Sequence, residues 1–438
     1  MNKNINQNII NKEHYNISFM GHVDHGKSTL VGEILIASQY IKPQKLAELK
    51  TIAEGNNKQS FYKAYLLDKT EDERKKGVTI ELSHNEFVLG DNHFTIIDCP
   101  GHADYIKNAI TGLSQSDVVV VVLSCTAGIE EQTKEHITLA RTYDISNLII
   151  AINKIDEVNY KEESYNTRKE EITEFLRKRG YKEGTVPILP TSGYLGDNVA
   201  TKSSNLPWYN GPTLFEVIEK IKLNKKVNEE IPFRLLVEST MSIPGSGLII
   251  TGNCLSGTAT KGSDLIVKPT GKEGKLASIE AHNQKLDFIK KGFNCGLQIK
   301  GLTKGDLKRG DVIGLKSNPP LNVREFDAEC YFISIKEKVK AGRNLILFIG
   351  STLISCKVGK VVSILDPRTG VVKEENPEGI GKGQKGVVRL VPIRPIVIEP
   401  LSVNPYRSRF AIREGRETIG GGYCTKVEYT AEDSFNLK

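Results

Sequence analysis

The chain has 438 residues, 39% hydrophobic and 26% charged, with 17 prolines and a formal charge of +7. This composition excludes disordered, collagen-like and membrane-embedded chains, and at roughly 100–200 residues per domain the length calls for two to four packed cores. The mild basic excess permits a nucleic-acid partner without requiring one, and a solubilising surface is the plainer reading of charge alone.

Residues 1–13 are rich in Asn and Lys and lack the apolar core of a secretory signal. The longest apolar run, 118–123, is far short of the roughly 18 residues of a membrane span. A cytoplasmic protein with no membrane partner is expected. Seven cysteines (Cys99, Cys125, Cys254, Cys295, Cys330, Cys356, Cys424) stand singly, with no Cys-x-x-Cys pair to clip zinc or exchange disulfides, and are expected to be reduced and buried.

In chain order, apolar runs at 17–20, 94–97, 118–123, 148–152 and 186–189 predict strands. Helical spacing at 133–142 and 171–179 predicts helices that pack on them. Together they predict a parallel sheet with crossover helices up to about residue 225. The segment 38–76 is long and dense in charge, and is expected to carry extra helices of its own. Beyond 225, short β-branched runs at 233–239, 247–254, 263–269 and 297–301, broken by Gly or Pro, predict a small β-barrel. Similar runs at 345–349, 359–365, 386–391 and 409–413 predict a second barrel, set off by a polar, Pro-containing link at 316–325. The expected fold is an α/β P-loop domain over 1–225 followed by two all-β barrels over 230–320 and 325–438.

Directly after the first strand comes Gly21-His22-Val23-Asp24-His25-Gly26-Lys27-Ser28, followed by Thr29. This is a P-loop in its strand-loop-helix setting. Gly21 and Gly26 let the backbone curl so that N–H groups and a helix N-terminus face a phosphate, Lys27 adds charge, and the Ser28 hydroxyl suits Mg²⁺. Asp98, at the start of Asp98-Cys99-Pro100-Gly101-His102, stands at a strand end where it can hold Mg²⁺ through water. Gly101 allows close approach to a γ-phosphate, and His102 is the candidate to orient the attacking water. Upstream, Thr79 in Lys76-Gly77-Val78-Thr79-Ile80 offers a second hydroxyl to the metal. The base is indicated by Asn153-Lys154-Ile155-Asp156. The Asp156 carboxylate can accept from both the ring N–H and the exocyclic amino group of guanine, a donor pair that adenine lacks. Thr191-Ser192-Gly193 is read either as a contact to the guanine oxygen, through Ser192 and the backbone, or as a plain turn. GTP or GDP with Mg²⁺ are the expected ligands.

The ordered set GHVDHGKS, KKGVTIE, DCPGH, NKID and TSG resembles the elongation factor Tu / elongation factor 1-alpha family of translational GTPases, over essentially the whole chain. The resemblance implies a ribosome-stimulated GTPase that delivers aminoacyl-tRNA. By carry-over, Ser28 and Thr79 ligate Mg²⁺, His102 positions water, Val23 and Val78 gate His102, and Asp24 helps balance transition-state charge. It also implies the ribosome and a guanine-nucleotide exchange factor as partners, and a monomer. Residues 62–81 and 196–212 resemble the 1-alpha branch, whereas 101–105, 128–136 and 409–415 resemble the Tu branch.

In the middle barrel Glu238 and Asn294 fall where the family places the pocket for the aminoacyl end, while Ser239, Met241, Asn253 and Leu255 depart from its pattern. Asn253 and Leu255 look more like the selenocysteine-specific branch. Arg409 and Arg413, with Lys426, are the expected phosphate contacts of the last barrel. Alternatives are a GTPase that escorts a release or rescue factor or a specialised tRNA, the GTPase subunit of a sulfate adenylyltransferase, and a non-hydrolysing scaffold. The last conflicts with the Asp98 and His102 positions.

Overall fold

Residues with the strongest strand propensity make the centre of the first layer. The computed structural model describes residues 12–41, 43–55, 62–67, 83–102, 106–143, 145–221, 231–243, 247–281, 284–367, 369–415 and 417–435. Its first unit, Met1–Leu223, is built on six strands. These are β1 (Glu13–Met20), β2 (Ser83–Leu89), β3 (Asn92–Asp98), β4 (Val118–Ser124), β5 (Asn147–Asn153) and β6 (Ile188–Pro190), in the order β2-β3-β1-β4-β5-β6. Every residue of β4 is buried, as a central strand covered on both faces requires.

The pairs β1–β3, β1–β4, β4–β5 and β5–β6 are parallel, so their carboxyl ends share one edge of the sheet. One expectation is corrected here. The sheet is mixed, because β2 runs antiparallel to β3 across the two-residue turn Gly90-Asp91, a connection too short to join parallel neighbours. Gly90 takes φ 56 in that turn.

Among the described residues the helices of this unit are α1 (Lys27–Ala37), α2 (Pro43–Gly55), α3 (Ile106–Ser114), α4 (Glu131–Thr142), α5 (Glu162–Lys178) and α6 (Leu214–Glu219). Helix α1 packs Leu30, Val31, Ile34 and Leu35 into the same core as Ile17, Phe19, Val120 and Val122. Helix α6 is only six residues long, and a reciprocal cap compensates. The Thr213 hydroxyl accepts from the Glu216 N–H, and the Glu216 carboxylate accepts from the Thr213 N–H. The charged insertion carries the expected extra helix, α2, and a 3₁₀ turn at Ala64–Leu66. Among the described residues no helix is long and apolar enough to cross a membrane.

The second unit, Asn224–Lys438, holds two barrels. The first contains β7 (Arg234–Ile243), β8 (Gly247–Ser256), β9 (Thr258–Thr260), β10 (Asp264–Lys268), β11 (Lys272–Ala281), β12 (Gln284–Leu286), β13 (Phe288–Lys290), β14 (Asn294–Lys300) and β15 (Val312–Leu315). Six strands close in the order β10-β15-β7-β8-β14-β11, with β12 appended and β10 pairing β11.

The second barrel contains β16 (Val323–Phe332), β17 (Val339–Lys340), β18 (Asn344–Ile349), β19 (Thr352–Leu365), β20 (Val372–Glu375), β21 (Gly379–Ile380), β22 (Lys385–Pro392), β23 (Arg409–Glu414) and β24 (Glu417–Tyr429). It closes in the order β18-β23-β24-β16-β22-β19, with β20 appended. Closure removes the sheet edges and leaves each interior to apolar side chains such as Phe293 and Phe326.

Between the barrels runs a polar seam. Arg234 pairs with Glu399 at 2.7 Å, and Lys268 with Asp433 at 2.5 Å, all four side chains being less than a tenth exposed. Arg234 also donates to the carbonyls of Phe233 and Asn318, and Asp433 accepts from the Asn322 N–H at 2.7 Å. Such buried ions persist only where partners satisfy them, as here. All seven cysteines are buried free thiols.

Candidate nucleotide site

At the carboxyl end of β1 the chain needs backbone that only glycine supplies. Gly21 takes φ 141, and a Cβ there would lie 2.2 Å from the Val122 carbonyl oxygen. Gly26 takes φ 83, and a Cβ would lie 2.5 Å from Asn153 Nδ2. Between them Asp24 is left-handed at φ 63 and exposed, while His22 and Val23 are half-buried. The loop runs straight into α1, so the helix's first N–H groups and its dipole point at the loop cradle.

Lys27, 6% exposed, donates from Nζ to the His22 carbonyl at 2.7 Å. Burial pushes its pKa below the usual lysine range, opposed by the nearby Asp98 carboxylate, Cys99 and Asp24. A desolvated ammonium against a curled backbone is a strong counter-charge for phosphate.

Ser28 and Asp98 meet in the structure, with Ser28 Oγ donating to Asp98 Oδ2 at 2.8 Å. Both supply hard oxygen donors, the chemistry that suits Mg²⁺. Gly101 packs on the P-loop, where a Cβ would lie 2.4 Å from Lys27 Nζ and 2.8 Å from the Gly21 carbonyl. His102 follows on the exposed side. Thr79 and Val78 lie outside the described residues.

The base motif is cross-braced. Asn153 donates from Nδ2 to the His25 carbonyl at 3.0 Å, and its Oδ1 accepts from the Gly193 N–H at 2.9 Å and from Thr191 Oγ1 at 3.3 Å. One side chain therefore ties the phosphate loop to the loop after β6. That loop also bonds within itself, the Ser192 N–H donating to the Asp197 carbonyl and Ser192 Oγ accepting from the Leu195 N–H. Lys154 is left-handed at φ 64, with Nζ 2.9 Å from Glu157. Asp156 Oδ1 is buried and lacks a hydrogen-bond partner among the described residues, which fits a carboxylate shaped for a ligand's donors.

Two contacts of this site were not anticipated from sequence. The Gly21 N–H donates to His136 Nδ1 at 3.1 Å, so a helix-borne histidine fixes the first glycine of the P-loop and carries its own proton on Nε2. His22 Nε2 lies 2.5 Å from Glu130, the residue that precedes α4. The only hint was that residues 128–136 resembled the Tu branch.

Burial, with Lys27 and His22 nearby, lowers the His136 pKa to about 3. Burial lowers His25 to about 4, against the raising effect of its contact with the Val122 carbonyl. Both must be neutral to fold, whereas unfolded histidine titrates near 6.5. Their contribution is therefore complete above about pH 6.5 and is lost as pH falls through about 4 and then about 3. His136→Gln, whose amide oxygen can accept from Gly21, should make the fall in urea-unfolding free energy between pH 7 and 4 shallower. A slope identical to the parent's would remove His136 from this account.

In the second unit, Glu238 is the extra residue of a β-bulge between Val237 and Ser239, half-buried and close enough to help raise the Cys295 pKa. Asn294 lies opposite Asn253, whose Nδ2 donates to Asn294 Oδ1 at 3.0 Å. Because β7 and β14 flank β8, Glu238 and Asn294 stand on strands one apart. Arg409 is half-buried and Lys426 exposed. The surface role expected of Arg413 is corrected. The residue follows a register shift in β23, is 5% exposed, and lays its guanidinium 5.8 Å from the centre of the Phe348 ring.

A P-loop feeding a helix, a Ser/Asp oxygen pair and an N-K-x-D motif braced through its asparagine, on one edge of an α/β sheet, define a guanine-nucleotide-binding GTPase domain. Comparison with known proteins agrees. The family model "Elongation factor Tu GTP binding domain" matches residues 12–232, "Elongation factor Tu domain 2" matches 247–314, and "GTP-eEF1A C-terminal domain-like" matches 325–425. Elongation factor 1-alpha of Archaeoglobus fulgidus is 40% identical over 411 residues, covering 94% of this chain and 97% of the relative.

Among solved structures, the S. cerevisiae Ski7 GTPase-like domain bound to GTP superposes with a TM-score of 0.78 at 18% identity, covering 97% of this chain and 99% of that one. A bacterial selenocysteine-specific elongation factor gives 0.69 at 20% identity, covering 97% of this chain, which spans 60% of that longer protein. The structural likenesses speak to the fold. The chain belongs to the elongation factor Tu / elongation factor 1-alpha family, and it is a translation elongation GTPase.

Proposed function

We propose that the protein, with GTP bound, carries aminoacyl-tRNA to the ribosome and is released when GTP is hydrolysed. The observation that supports this most directly is full-length likeness to elongation factor 1-alpha, combined with a phosphate loop, Asp98 and Asp156 brought to one sheet edge. In this reading the domains run over 1–225, 230–320 and 325–438. The protein works as a cytoplasmic monomer with a nucleotide exchange factor.

The P-loop residues Gly21 to Gly26, with Lys27, Ser28 and Thr29, grip the phosphates through backbone N–H groups and the lysine charge. Asn153 and Lys154 support the base, Asp156 accepts its two donors, and Ser192 closes over its oxygen. Ser28, Thr79 and Asp98 would hold Mg²⁺, which neutralises phosphate charge when bound. Gly101 keeps the following backbone against the γ-phosphate position. His102 turns a water in line, and Asp24 assists charge balance.

Cargo is held in two ways. Contacts to RNA phosphate, to which Arg409 and Lys426 are suited, are blind to sequence, while a small pocket at Glu238 and Asn294 senses the esterified amino acid. GTP-bound protein should therefore bind charged tRNA far more tightly than uncharged tRNA, with an affinity that falls as salt rises. Asn294→Ala should narrow that gap in a filter-binding titration. No GTP-dependent preference for charged tRNA would sink the cargo reading and favour escort of a release factor.

A further inference from the structure

Among its described residues the charged insertion buries one charged side chain. Lys63 is 4% exposed and stands just ahead of the 3₁₀ turn at Ala64–Leu66. A lysine ammonium has three N–H donors and no acceptor. Here all three have partners, namely the Glu33 carboxylate on α1, the Gly193 carbonyl at 3.1 Å and the Tyr194 carbonyl at 2.7 Å. Gly193 is the last residue of the Thr-Ser-Gly loop, and its N–H is held by Asn153. The residue is thus clamped on two sides, by the base motif through its N–H and by the insertion through its carbonyl.

The fit beneath the clamp is close. A Cβ on Gly193 would lie 2.9 Å from Leu30 Cα, and a Cβ on Gly32 would lie 2.4 Å from the Lys63 carbonyl. The insertion therefore sits directly on α1 and passes its lysine under residues 193–194. A buried ammonium is costly unless it is fully paired, so Glu33 alone would leave two donors unsatisfied. The Gly193 and Tyr194 carbonyls complete the set, and the same two hydrogen bonds fix the backbone of that loop.

We infer that Lys63 is a positioning residue for base recognition, holding the Gly193 and Tyr194 carbonyls so that the loop's backbone stays poised for the guanine oxygen. The inference rests on reading that loop as the contact to the guanine oxygen. All three lysine donors are taken by the protein, so its effect is expected in nucleotide release and base discrimination rather than in the hydrolytic step.

The test uses the full chain and a fluorescent GDP chase. Glu33→Gln alone keeps Lys63 and its two carbonyl contacts, whereas Lys63→Met combined with Glu33→Gln removes the lysine without stranding a buried carboxylate. Glu33→Gln should release GDP at close to the parent rate. The double variant should release it about tenfold faster, the scale of losing one or two hydrogen bonds from a charged donor. GDP and IDP should weaken by the same factor, because both carry the ring oxygen, and ADP binding should not change.

If the double variant does not fold, Lys63→Gln, which keeps a neutral donor toward Glu33, is read in the same chase. Unchanged GDP release, with only thermal stability lowered, overturns the inference and makes Lys63 a mere fastening. Equal binding of ADP and GDP by the unmutated protein would instead bring down the guanine reading itself.

Discussion

His102→Ala is expected to cut ribosome-stimulated GTP turnover by about 10²–10⁴-fold, the usual span for a lost acid–base or water-orienting group, while GTP affinity stays close to that of the parent. The asymmetry follows from position. Gly101 is pressed against Lys27 and Gly21, so it belongs to the phosphate-binding surface. The next residue, His102, is exposed, and in its proposed role it orients the attacking water rather than gripping the nucleotide. Single-turnover hydrolysis on ribosomes, beside equilibrium GTP binding, separates the two quantities. Equal losses in both would make His102 a residue that shapes the site.

Asp156→Asn should weaken GTP by about 10²–10⁴-fold, because two hydrogen bonds to an ionised carboxylate disappear together. The same change should improve xanthosine triphosphate, whose carbonyl replaces the amino group of guanine and can pair with an amide. The surroundings favour a clean exchange. Asp156 Oδ1 is buried without a hydrogen-bond partner among the described residues, and the brace to the neighbouring loops runs through Asn153. Calorimetric titration of both nucleotides against both proteins measures the switch. A variant that loses GTP binding and gains nothing for xanthosine triphosphate would show that Asp156 maintains the loop's shape.

Much of this site could be read from sequence because its parts are contiguous. The P-loop, the Asp98 segment and the N-K-x-D motif each sit at the end of a strand that an apolar run marks clearly. Interactions between segments left no such trace. His136 reaches Gly21 across 115 positions, and Lys63 reaches Gly193 across 130. Neither has a local pattern that separates it from an ordinary helix histidine or a solvated lysine.

Strand β2 escaped for a different reason. Its pattern is polar and only partly buried, so antiparallel pairing at an edge supports it rather than its own hydrophobicity. Arg413 shows the opposite error. A charged residue near the Tu-like segment suggested an exposed phosphate contact, but an arginine can bury its stem and lay its guanidinium on an aromatic face.

The seam between the barrels also carries a clock. Each of its ion pairs spans 165 positions, from Arg234 to Glu399 and from Lys268 to Asp433. A chain made at about 5–20 residues per second presents Arg234 and Lys268 roughly ten to thirty seconds before their carboxylates are synthesised. During that interval the first barrel can close its own six-strand circuit, but the face destined for the seam stays wet and its cations remain hydrated. Docking is thus deferred until Glu399 and Asp433 have been made, and the order of synthesis imposes an order of assembly on a pair of domains that finish as one unit.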